Sequence, residues 1–205
     1  MSNSDDEINS GHLPEPINWA LLRSTVPHSE KGYTSTARLS VEKIDLIDYY
    51  IKIGIYPSRS RFVFEAIRDV YMNLITNMSL LSPEINSRCD SQAQVKDAML
   101  VALKKIHLEK TGYTGAPEKK PTEVIGVTGD KAFLQESSNT LRGCLSLDGF
   151  QGVVSYCTYI KLKELGQFDE IIGKVMNGDL YLFDDMIHSL SEEDYDDIFK
   201  KIGID

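Results

Sequence analysis

No run of apolar residues in this chain is long enough to cross a bilayer, so no membrane span is expected. The opening MSNSDDEINS is polar and acidic where a secretory leader carries positive charge ahead of an apolar stretch, so a leader is not expected either. Cysteine is scarce. Cys89, Cys144 and Cys157 are odd in number and stand at no metal-ligand spacing, which argues against a disulfide framework and for free, buried thiols in a cytoplasmic protein. His12, His28, His107 and His188 are scattered with no pair at ligand spacing, and His107 is expected at the surface or boundary of a helix. The acidic clusters Asp184-Asp185 and Asp194 to Asp197 lack the glycine and spacing of a calcium loop and read as solvated helix faces. GVTGDK, Gly126 to Lys131, has two glycines and a lysine without phosphate-loop spacing and reads as a turn after a strand. No metal or cofactor is therefore expected. With no nucleophile and base in view, neither is an enzyme.

Positive charge is also in short supply, and where it falls is informative. The 205 residues carry a formal charge of −9, which alone argues against nucleic acid. Counted by segment, residues 1–30 carry −4, residues 31–78 carry +2, residues 79–160 are neutral and residues 161–205 carry −7. Only the second is net positive, and it contains Ser58-Arg59-Ser60-Arg61 at the mouth of an apolar helix.

The polar segment 1–16 is expected to be disordered, and 17–32, which holds the only tryptophan, to form a short arm. Thr34, Thr36 and Arg38 alternate with Ser35, Ala37 and Leu39, the period-two pattern of a short strand. Ser40 is placed to cap a helix in which Ile44, Ile47 and Ile51 share a face, and Gly54 ends it. Tyr56-Pro57 forces an extended approach to Ser58, the expected cap of a second helix running through Val63, Ile67 and Val70 to Met78. Residues 79–91 read as a loop, 91–110 as a connecting helix and 111–122 as a linker. Beyond it, 123–205 reads as an acidic, mainly helical C-terminal domain. Within it EVIGV is a candidate strand, FLQESSNTLRG, VVSYCTYIKLKEL and FDEIIGKVM are candidate helices, and SEEDYDDIFKKI opens on a capping box. No internal repeat is evident. The fold class expected is mainly α with a short β-strand.

A strand-helix-helix unit of about 45 residues cannot bury enough apolar surface to fold alone, and its single strand needs a partner. Two copies pairing their strands would meet both needs and present a ribbon of major-groove size. Tyr33 to Met78, and above all Tyr56-Pro57-Ser58-Arg59-Ser60 followed by Ala66-Ile67-Arg68, resembles the ribbon-helix-helix superfamily of DNA-binding repressors that includes Arc, MetJ and CopG.

The resemblance implies an intertwined homodimer with Ala37, Leu39, Ile44, Ile47, Ile51, Val63, Ile67 and Val70 in the dimer core. It implies base readout by Thr34, Thr36 and Arg38, and phosphate contact by Ser58, Arg59, Ser60 and Arg61. The chain departs from the family in carrying Arg61 where a glutamate is common, and in the small inward residues Ser35 and Ala37. The function expected is a sequence-specific transcriptional repressor binding double-stranded DNA as a homodimer, with adjacent dimers on repeated half-sites. The alternatives are an antitoxin or scaffold whose residues 123–205 hold a protein partner, and a helix-turn-helix use of the same two helices. In all of these Arg59 has a competing use, folding back onto Asp45 or Asp48.

Overall fold

The computed structural model describes residues 33–115, 120–176 (side chains to 170) and 190–204. The expectations for 1–16 and 17–32, for His12, His28 and His188, and for Asp184-Asp185 lie outside the described residues. The elements are β1 (Tyr33–Ser40), α1 (Val41–Lys52), α2 (Arg59–Arg88), α3 (Gln92–Lys104) running into a π-helical turn (Lys105–Glu109), β2 (Thr122–Gly129), α4 (Lys131–Leu145), α5 (Gly149–Met176) and α6 (Glu192–Lys201). The described residues are thus mainly helical, with one two-stranded antiparallel sheet.

This order passes twice through strand, helix, helix, with constant spacing. The first helices begin at Val41 and Lys131 and the second at Arg59 and Gly149, so 131 − 41 and 149 − 59 both give 90 residues. Ser40 and Asp130 stand before the first helices at the same offset. The turns between helices differ in length but end alike. After α1, Gly54 adopts φ +84° and the Ile55 N–H donates to Tyr50 O; after α4, Ser146 adopts φ +55° and the Leu147 N–H donates to Arg142 O. Both are left-handed helix stops that satisfy a free carbonyl. An internal repeat therefore exists, contrary to the reading of the sequence, because it is kept in spacing and burial rather than in residue identity.

The strand expected to pair with a second copy pairs instead with β2 of the same chain. Thr36 lies opposite Gly126, its own counterpart 90 residues on, so the two passes meet at the ribbon centre as two identical strands would. Packing explains the preference. On the inward face Ser35 is opposite Val127 and Ala37 is opposite Ile125, so each small residue meets a large one. Two copies of β1 in the same register would set Ser35 against Ala37 and leave the core beneath them underfilled. Cross-strand packing of this kind is the unit of sheet stability.

The helices cross over. α2 packs on β2, α5 packs on β1, and α2 and α5 pack on each other. Ala37, Leu39, Ile44, Ile47, Val63, Ile67 and Val70 are buried, and Ile51 packs against them half-buried. They share one hydrophobic cluster with Ile125, Val127, Leu134, Leu141, Val153, Val154, Tyr156 and Cys157. The expected division between 33–78 and 123–205 is therefore not a division of the core. Size is traded between equivalent sites. A β-carbon on Gly129 would lie 2.3 Å from the Phe64 ring, while the counterparts of that pair are Leu39 and Val154, with large and small exchanged. Between α2 and α5, Asp69 accepts from both Arg68 and Lys161.

Three further expectations are corrected. Residues 79–88 continue α2 instead of forming a loop, because Leu81 and Ile85 are buried; Pro83 sits inside the helix, and Ser79 and Ser82 hydroxyls donate to the Ile75 and Met78 carbonyls. VVSYCTYIKLKEL and FDEIIGKVM form one continuous helix, α5. His107 is buried: its carbonyl accepts from the Tyr156 hydroxyl at 2.6 Å, tying the π-helical turn to α5. Of the thiols, Cys157 is buried and Cys89 and Cys144 are half-buried, all free.

The acidic C-terminal helix has an internal use. Asp194 meets Lys105 at 3.2 Å and Lys110 at 2.9 Å, Asp197 meets Lys105 at 2.9 Å, and Asp196 meets Arg88 at 3.1 Å. Ile198 and Phe199 are buried behind them, and the Arg88 guanidinium lies over the Phe199 ring. Asp194 to Asp197 is thus a docked face, since Arg88 of α2, Lys105 of the π-helical turn and Lys110 just after it lie opposite.

Candidate nucleic-acid interface

The ribbon has one face on the core and one on solvent, as its alternation dictates. Thr34, Thr36 and Arg38 are all exposed on the solvent face. β2 completes that face with Val124, Gly126 and Thr128, paired to Arg38, Thr36 and Thr34 respectively. The Thr34 and Thr128 hydroxyls bond to each other at 3.2 Å. Arg38 has no carboxylate partner among the described residues, whereas Arg59, Arg61, Arg68 and Arg88 each have one.

The outer edges of the ribbon are held by side chains from the opposing helices. The Thr128 N–H donates to Ser60 Oγ at 2.8 Å. On the other edge the Arg38 N–H donates to Gln151 Oε1 at 2.6 Å, and Gln151 Nε2 donates back to the Arg38 carbonyl at 2.5 Å. Thr128 is the counterpart of Arg38 at the 90-residue offset, so the same strand position is anchored in both passes by the opening turn of a helix. These bonds fix the ribbon on the helices and occupy backbone groups that would otherwise invite another strand.

All four residues expected to grip phosphate have partners within the chain. Ser58 Oγ accepts the Arg61 N–H at 3.2 Å, which is its capping bond, and Ser60 holds Thr128. Arg59 donates from Nε and Nη2 to Asp48 at 2.7 and 2.5 Å, and from Nη1 to Glu123 at 3.3 Å. Arg59 thus takes the competing use, with one guanidinium between two carboxylates. Arg59's hydrogen bond holds the Asp48 carboxyl below its ordinary range, which favours the charged pair. Arg61 meets Glu65 at 2.6 Å and lies over the Phe64 ring. The corresponding opening of α5 is Asp148, Gly149, Phe150, Gln151, with no basic residue.

Reading the sequence brought out half of this face and missed Val124, Gly126, Thr128, Gln151 and Glu123. The alternation in EVIGVTG was a usable signal, and the spacing of helix caps was another. Among the described residues there is no cluster of His, Cys, Asp and Glu able to hold a metal, and no helix long and apolar enough to cross a membrane. No family model, curated protein or solved structure matches this chain.

Proposed function

We propose that this chain is a sequence-specific DNA-binding regulator of repressor type, using its ribbon in the major groove in the manner of ribbon-helix-helix proteins, with both strands supplied by one chain. The observation that carries the reading is the solvent face of the ribbon, where Arg38 stands exposed in line with Thr36 and Thr34 with no acidic partner among the described residues. A two-stranded ribbon fits the groove, and a planar guanidinium matches the two acceptors of a guanine edge. The rest of the chain is acidic, so affinity rests on shape and base contact more than on bulk charge.

The test is binding to a duplex enriched from a random pool and to an unrelated duplex, followed by fluorescence anisotropy. Arg38→Ala is expected to weaken the enriched duplex by about 1–3 kcal/mol and the unrelated one hardly at all. Equal loss on both would remove Arg38 from base readout.

A second reading, a scaffold or antitoxin that holds a protein, is favoured by one feature. Leu46, Tyr49, Ile53 and Ile55, on α1 and the turn after it, are each about half exposed. Such a patch suits a protein surface better than a phosphate backbone.

A further inference from the structure

Building on the DNA-binding reading, we propose that one copy of this chain reads a non-palindromic duplex, with a guanine at the Arg38 end of the ribbon and a thymine methyl beside it on Val124. A ribbon made from two identical strands has two identical ends, so its target repeats. Here the ends differ. The register pairs Arg38 with Val124 at one end, Thr36 with Gly126 in the middle, and Thr34 with Thr128 at the other.

The chemistry of the two ends is unlike. Arg38 offers a donor fork, and its neighbour Val124 is 59% exposed, a branched apolar side chain that burial does not account for. In the major groove thymine is the base that presents a methyl group, so a fork beside a pair of methyls specifies guanine next to thymine. At the far end the two threonine hydroxyls share one hydrogen bond, which leaves one hydroxyl hydrogen to donate and lone pairs to accept, and hydroxyls accept or donate to either kind of base edge. In the middle Gly126 presents no side chain, leaving the backbone free to approach the bases. From Thr34 to Arg38 the ribbon extends about 13 Å at about 3.3 Å per residue, which matches about four base pairs.

The flanks repeat the asymmetry. The opening of α2, with Arg59 and Arg61, runs beside β2, where Ser60 holds Thr128. The opening of α5, with Asp148 and no basic residue, runs beside β1, where Gln151 holds Arg38. The two flanks of the ribbon therefore differ, with two ion-paired arginines at the opening of α2 and none at that of α5.

The experiment is selection of duplexes from a random library by the full chain, with native mass spectrometry of the complex formed on the enriched sequence. The expected result is a consensus without two-fold symmetry, bound by one chain. Replacing the consensus thymine beside the guanine with deoxyuridine removes only a methyl group. It is expected to weaken the wild type about fourfold and Val124→Ala no more than about twofold. A palindromic consensus holding two chains would overturn the asymmetric target while leaving DNA binding intact, and an equal uracil effect in both proteins would overturn the assignment of Val124. No enrichment at all would overturn the DNA-binding reading and this proposal with it.

Discussion

The first strand-helix-helix pass, Tyr33 to Arg88, and the second, Thr122 to Met176, share their spacing and diverge at the surface. Where they touch, they are complementary: Ser35 and Ala37 against Val127 and Ile125, and Phe64 against Gly129. Where they meet solvent, they differ in charge, with Ser58, Arg59, Ser60 and Arg61 opening α2 and Asp148, Gly149, Phe150 and Gln151 opening α5. Two identical chains cannot specialise their halves, because every substitution appears twice. Two passes of one chain can place a glycine in one half and a large ring in the other, and can also make the two ends of an exposed face chemically distinct.

If the two passes form one cooperative core, damage to either is felt equally. Ile44 in α1 and Leu134 in α4 occupy equivalent positions, and both are buried. Ile44→Ala and Leu134→Ala are each expected to lower unfolding free energy by about 2–5 kcal/mol, in a single transition seen alike by circular dichroism and tryptophan-independent probes. Two transitions, or a loss confined to one variant, would mean that the passes are separate units.

How much of this was legible beforehand follows from the same physics. The caps at Ser58 and Ser191, the glycine stop at Gly54 and the alternation of β1 are local signals, and each sits where the pattern placed it. The partner of β1 was not legible, because small inward residues such as Ser35 and Ala37 look like weakness until Val127 and Ile125 are set opposite them. The second pass was hidden because equivalent sites hold different residues, Ile67 and Cys157 or Ala66 and Tyr156, chosen for volume in a shared core. The helical stretch through Pro83 was hidden because burial of Leu81 and Ile85 outweighs a missing backbone bond. The candidate face was half visible: Thr34, Thr36 and Arg38 follow from alternation, whereas Val124 and Thr128 need the register.

The segment joining the passes offers a smaller effect with a defined pH dependence. Bonds from the Ser191 backbone and then Lys110 hold the Asp194 carboxyl well below the usual carboxylate range, and a bond from Lys105 lowers that of Asp197. A carboxyl depressed in the folded state adds stability that is present above its unfolded value, about 3.9, and is lost as pH falls through the folded value. Asp194→Ala also removes the capping box of α6. The variant is expected to be about 1 kcal/mol less stable at pH 6, with the gap to wild type narrowing as the pH is lowered from 4 towards 2. Thermal unfolding across that range measures it. If the ribbon face is independent of this docking, DNA binding at pH 7 is unchanged, and a loss there would show that α6 helps to hold the two passes together.

The smallest expected effect bears most directly on the charge difference between the two openings. Arg59 is shared by Asp48 and Glu123, and Glu123 lies on β2 beside the proposed DNA face, so a phosphate near α2 competes with a carboxylate for the same guanidinium. Glu123→Gln removes that competitor and one repulsive charge. Because the pair is largely exposed, the gain in duplex affinity is expected to be modest, about 0.2–1 kcal/mol, with a steeper fall of affinity as salt rises. The arginine can then be tested in both backgrounds. Arg59→Ala is expected to cost little in the wild type, where Asp48 and Glu123 already hold the charge, and more in Glu123→Gln, where Asp48 keeps Nε and Nη2 but Nη1 is released to a phosphate. Equal cost in the two backgrounds, measured by anisotropy at several salt concentrations, would mean that Glu123 does not regulate Arg59, and that the basic opening of α2 serves the fold alone.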